Sequence, residues 1–198
     1  MLKSLVTITL PATLIALTGC AGRDFVRPDS ADLKVGRGTY SQVVAKLGEP
    51  RSTGEILKNG ETIKTITYAY ANTGGEPLQQ GVIPARAVAY YFQRDIVVGQ
   101  EFMSSFKSDN SDFDDSKVSA IEKGKTTRSE LFQLLGKPTA SFTKPMVKET
   151  SGEAIGYTYQ ATSGGAFSGF KFFRKALRIA FDADDRVLDI DYSTSGTK

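Results

Sequence analysis

The sequence predicts an α+β fold of two tandem repeats, each a helix plus a three-stranded antiparallel meander, packed together. Three observations carry this. GRGTYSQVVAKLGEP at 36–50 is answered by GKTTRSELFQLLGKP at 124–138. Each stretch is followed by apolar residues at alternate positions, the mark of a half-buried strand. The connections between the later strands are tight turns, which join antiparallel neighbours. A unit of about 70 residues is marginal alone, so the two are expected to pack against each other.

The chain opens with one basic residue, Lys3, and a mostly apolar run at 5–17. At roughly 13 residues the run is too short for a membrane-spanning helix, which needs about 20. It fits the apolar part of an export signal, predicted at 1–19. The run ends in Leu17-Thr18-Gly19-Cys20, which resembles the bacterial lipobox. In that resemblance Cys20 accepts a diacylglycerol and becomes the new N-terminus. Cys20 is the only cysteine, so no disulfide competes for it. Residue 21 is Ala rather than Asp. By resemblance to enterobacterial lipoproteins, this implies the outer membrane of a Gram-negative bacterium, with the protein facing the periplasm. Residues 20–32 hold few apolar side chains and Pro28, and read as a tether.

The first repeat is expected over 33–102. Thr39 and Gln42 have capping-box spacing, as do Thr127 and Glu130 in the second repeat, over 121–198. Tyr40, Val43, Val44 and Leu47 fall on one helical face; Leu131, Phe132, Leu134 and Leu135 do the same in the second helix. Leu47 and Leu135, at equivalent positions, are both expected in the core. Gly48 with Pro50, and Gly136 with Pro138, supply matching stops. The first strands are read from Ile66, Tyr68 and Tyr70, and from Ile155, Tyr157 and Tyr159. Later strands follow at 87–92 and 96–102, and at 177–181 and 187–192. The segment 103–120 is polar and acidic and reads as a linker or exposed loop.

The signature Gly-x-Thr-Thr-x-x-Glu-Leu-x-x-x-Leu-Gly-x-Pro at 124–138, with the lipobox and F-x-x-x-D-x-V-L at 181–188, resembles the BamE-like (SmpA/OmlA) lipoprotein family. The first repeat departs from it, with Gly38 at the place of Thr126. The tandem arrangement resembles the β-lactamase inhibitor proteins. Both resemblances imply a protein without catalysis that binds other proteins: the outer-membrane β-barrel assembly machinery in one case, a secreted hydrolase in the other.

Composition narrows the chemistry. The chain has no histidine, which removes Ser-His-Asp and Cys-His pairs and imidazole metal ligands. Asp184 and Asp185 fall in an expected turn, where Asp serves local hydrogen bonds. DNSDFDD at 109–115 lacks the glycine and bidentate Glu of a calcium loop: counted from Asp109, those places hold Asp114 and Ala120. Gly74-Gly75 and Gly164-Gly165 are followed by no phosphate-loop Lys. The net charge of +3 falls to +2 when Lys3 leaves with the signal, and both signs are interspersed, which gives no footprint for nucleic acid. No metal, cofactor or catalytic residue is expected.

Two equivalent segments are expected to be irregular and to carry function: 74–86, with Leu78, Val82 and Ile83, and 164–175, with Phe167, Phe170, Phe172, Phe173 and Arg174. In one reading half these aromatics start the next strand and enter the core. In the other, several form an exposed aromatic-basic patch for a partner protein, peptidoglycan or lipid head groups. Phe172 and Phe173 are adjacent, so in a strand they face opposite sides. The function expected is protein binding in envelope assembly or maintenance. The alternatives are inhibition of a periplasmic or secreted hydrolase and binding of an envelope polymer.

Overall fold

The computed structural model describes residues 22–28, 33, 35–148, 152–165 and 167–197. The expected signal and Cys20 lie outside the described residues. The elements run α1 (Tyr40–Leu47), β1 (Ser52–Lys58), β2 (Glu61–Ala71), β3 (Ala85–Gln93), β4 (Ile96–Ser104), a 3-10 turn (Asp115–Ala120), α2 (Arg128–Leu135), β5 (Ala140–Thr143), β6 (Glu153–Gly165), β7 (Gly169–Phe181) and β8 (Val187–Gly196). All eight strands join one antiparallel sheet in chain order.

This overturns the predicted pair of helix-plus-three-strand meanders packed together. Each half has four strands, and the halves do not pack as separate sheets. They join edge to edge through β4 and β5, by Gly99↔Phe142, Gln100↔Ser141 and Glu101↔Ala140. The two missed strands explain the error. Every residue of β1 is exposed, so it has no apolar alternation. β5 is four residues long, too short for a period to show.

The helices form where the capping boxes predict. Thr39 accepts the Gln42 N–H and Gln42 accepts the Thr39 N–H; Thr127 and Glu130 do the same. Both helices pack on one face of the sheet. Val43 sits in a core with Ile66, Val88, Tyr90, Val97 and Phe102. Leu131 holds the equivalent place with Ile155, Tyr157, Leu177, Ile179 and Phe181. Matching tyrosines fasten the helix ends: Tyr68 donates to Gly48 O and Tyr157 to Gly136 O, each at 2.8 Å. The buried anchor is therefore one turn earlier than expected. Leu47 and Leu135 are half-buried and Phe132 is exposed.

The segment 103–120 is not a free linker. Met103 and Ser104 finish β4. Phe106 and Phe113 are buried and lie against Tyr70 and Tyr157, at 5.9 and 5.8 Å between ring centres. One ring plugs each half. The acidic run is bound up with cations and hydroxyls. Asp109 takes the Ser104 hydroxyl and Arg86, and Asp112 and Asp115 hold the buried Lys175. Residues 22–28, expected within a tether, also lie against the first half. Phe25 packs on its core, and Arg86 donates to Phe25 O at 2.7 Å.

Candidate functional site

The face of the sheet away from the helices is curled into a trough. Asn59 and Gly60, both left-handed at φ 49° and 80°, close the β1–β2 hairpin in the manner of an Asn-Gly turn. The Asn59 amide then reaches across and donates to Pro145 O and Val147 O, each at 2.8 Å. As a result β1 and β8, at opposite edges of the sheet, line one cleft of ≈ 300 Å³, with Ile56 and Lys58 on one wall and Asp191 and Ser193 on the other.

The floor of that cleft is made by Phe142. Its register partner on β4 is Gly99, and on β6 the diagonal neighbour Gly156, paired with Ala140, leaves room for the ring. A Cβ at Gly99 would stand 2.8 Å from the Phe142 ring, so glycine is required for the ring to lie down there. The Arg178 guanidinium stacks above the ring at 4.0 Å. Ile63, Val98, Met146, Val147 and Ala154 complete this third apolar cluster.

Beside it lies a polar centre. Glu101, almost wholly buried, accepts hydrogen bonds from the Thr158 hydroxyl at 2.6 Å, from Arg174 at 3.1 Å and, at 3.3 Å, from the Tyr91 phenol. Burial first, and then the Glu101 charge, push the Tyr91 phenol up to about 12, so it stays a neutral donor. Arg174 is 45 % exposed while Glu101 is 11 % exposed by side chain. A buried carboxylate thus fixes a guanidinium whose outer edge faces solvent. Towards the 71/85 end the trough is floored by small side chains, Ala69, Ala71, Ala85 and Ala87, in a second hollow of ≈ 390 Å³.

The sequence-predicted residues divide. Arg174 lies in the trough. Phe170 and Phe172 share its face and are more than half exposed; Phe167, at the β6–β7 turn, is fully exposed. Phe173 points to the helix side, half-buried. The segment 164–175 is therefore mostly strand rather than irregular, because its aromatic residues extend β7 to Gly169, paired with Gly165. Leu78, Val82 and Ile83 are half-buried in a loop laid on neighbouring strands. Leu78 N–H donates to Ser105 O and Ile83 N–H to Thr162 O, each at 2.8 Å, and Val82 bridges Ser163. Glu101, Thr158, Tyr91 and Arg178 were missed. A signal existed for two of them: Glu101 is a lone carboxylate within the apolar run of β4, and Arg178 falls four residues after Arg174, hence on the same strand face.

No protein-family model matches the chain, and no curated protein matches it, so the resemblance to BamE-like lipoproteins rests on the residues that suggested it. Among solved structures the chain is similar to a 1.40 Å crystal structure of a "putative beta-lactamase inhibitor protein" from Streptococcus mutans. The likeness has 11 % identity, covers 78 % of this chain and 82 % of that one, and has a TM-score of 0.40.

Proposed function

We propose that this chain is an exported, non-enzymatic binding protein, lipid-anchored at Cys20 and facing the periplasm, whose trough receives a protruding segment of another protein. The observation behind it is the Glu101–Arg174 pair: a buried carboxylate presents a half-exposed guanidinium in the cleft between β1 and β8, beside the second hollow floored by small side chains. Arginine held in this way is a frequent centre of binding energy. The partner we favour is a periplasmic or secreted hydrolase. A trough with walls on two sides admits one convex element, such as the rim of an enzyme's cleft, and covering that rim inhibits. The second reading is outer-membrane assembly, favoured by the lipobox.

The test places a photo-crosslinking residue at Ala87 or Ser193, both in the trough, and at Gln133 on the outer side of α2. The captured protein is identified from intact cells by mass spectrometry, then purified for binding and activity assays. We expect capture from the trough positions only, inhibition of the captured enzyme, and a loss of affinity of about tenfold or more for Arg174→Ala. Capture of an assembly component without inhibition selects the second reading. Equal capture from Gln133, or unchanged affinity for Arg174→Ala, overturns the trough as the binding surface.

A further inference from the structure

We propose that the tip of the β6–β7 hairpin is a membrane-contact element that docks on an anionic phospholipid surface when the chain is anchored at Cys20. The proposal rests on the lipid-anchor reading and is independent of the partner in the trough.

The first observation is that the anchor has almost no slack. Gly22, at φ +74°, lies against the backbone of Ala69 and Tyr70, so closely that a Cβ would stand 2.0 Å from Ala69 O. The next residues are fastened as well. Arg86 pairs with Asp24 at 3.5 Å and holds Phe25 O, and Arg27 donates to Pro138 O at 2.8 Å while lying over the Phe102 ring. Two peptide links separate Gly22 from position 20 in the sequence, which is at most about 8 Å of chain. A lipid on Cys20 brings this end of the molecule down to the bilayer.

The second observation is that the hairpin projects at the same end. Asn72 N–H donates to Pro84 O, and Ile83 N–H to Thr162 O, so the end of β2 stands level with Thr162. From there β6 runs on through 163–165 before the turn, roughly 10 Å further. The element that overhangs the anchored end carries Phe167, Phe170 and Phe172, all exposed.

The third observation is charge. Residues 154–181 contain no Asp or Glu, and include Lys171, Arg174, Lys175 and Arg178. Of these, Lys171 is exposed on the hairpin itself. The nearby loop carboxylate of Glu76 is paired with Lys107. Aromatic rings that enter the headgroup boundary beside a lysine, with no carboxylate to be repelled, match an anionic bilayer. One acyl-anchored cysteine plus such a patch fixes orientation as well as attachment.

The chain has no Trp and one Cys, which makes the test clean. The mature chain 20–198 carrying Phe167→Trp is coupled through Cys20 to a maleimide lipid in vesicles of phosphatidylethanolamine and phosphatidylglycerol. A parallel sample carries Asp184→Trp, at the β7–β8 turn on the opposite end. We expect blue-shifted emission and quenching by acyl-brominated lipids for Phe167→Trp, and neither for Asp184→Trp. Phe170→Ser/Phe172→Ser in the Phe167→Trp background should remove most of the quenching with an unchanged melt. Water-like emission from Phe167→Trp on tethered protein overturns the proposal, as does equal quenching from Asp184→Trp. Labelling cells with radioactive palmitate tests the anchor separately. An unlabelled Cys20 sinks the anchor reading, whereas the vesicle result judges the hairpin.

Discussion

Lys175 offers the most exacting test of how the 103–120 segment is fastened to the second half. Its side chain is 4 % exposed and its ammonium contacts Asp112 at 2.8 Å, Asp115 at 2.9 Å and the carbonyl of Phe113. Burial pulls its pKa down, and the two carboxylates more than offset this, leaving it above the usual lysine value. The perturbation is Asp112→Asn/Asp115→Asn, which keeps shape and acceptors but removes both negative charges. A hydrogen bond to a charged group contributes about 1.5–3 kcal/mol, and breaking a buried pair costs about 3–5 kcal/mol. Because Asn still accepts, part of this is retained, and we expect a loss of about 3 kcal/mol. For a chain of this size that lowers the melting temperature by roughly 6–12 °C. Adding Lys175→Met should restore most of the loss, since an aliphatic chain needs no counter-charge. Lys175→Met alone should cost about 1 kcal/mol, because its two partners are 26 % and 38 % exposed and can turn to water. Urea and thermal unfolding of the four proteins at pH 7 measure this. A double-Asn variant within 1 kcal/mol of the parent, or no recovery on adding Met, would show that the ammonium is not buried there.

Three further outcomes are expected. Leu131→Ala, at a fully buried site, should cost about 2–5 kcal/mol in urea unfolding, whereas Phe132→Ala, where the ring is 40 % exposed, should cost clearly less, about 1 kcal/mol. Hydrogen bonds from Tyr192 and then Lys175 hold the Asp115 carboxyl down, to about 2. That stability is complete above the unfolded value near 3.8 and is lost as pH falls toward 2, so Asp115→Asn should flatten the fall in stability between pH 4 and 2. The shift corresponds at face value to about 2.4 kcal/mol, reduced by exposure to about 1 kcal/mol; identical acid curves for the two proteins would refute it. Gly22→Ala should release 22–28 from the sheet, read as faster amide exchange at Phe25 with little change in the global melt; unchanged exchange would mean that this segment is held without Gly22.

The helices were legible because capping and stopping are local chemistry: Thr39 and Gln42, or Thr127 and Glu130, act within one turn. The hairpin partners were legible where one face is buried, as in Val88, Tyr90 and Phe92 of β3. What failed was non-local. β1 is an edge strand with no buried face, although Asn59-Gly60 announced its hairpin. β5 has too few residues to declare a period, yet it decides whether there are two sheets or one. In 103–120 the polar count hid Phe106 and Phe113, which are the residues that fix the segment. Of the candidate site, Arg174 was named from composition alone. Its buried partner Glu101 lies 73 residues away in sequence, and no local pattern links them.

The joint at β5 has a mechanical consequence. Three residue pairs connect β4 to β5, whereas β6 and β7 share twelve. Bending stiffness along the sheet is therefore lowest at this seam, which also holds the two bare glycine backbones beneath the Phe142 ring. A bend about it would change the aperture, the distance between Lys58 and Asp191, and the Asn59 hydrogen bonds to Pro145 O and Val147 O across the cleft oppose that bend. The Thr158–Glu101–Arg174 contacts span the same seam and act as its latch. A guest that engages Arg174 would alter the latch and the aperture in one step, so grip and shape adjust together.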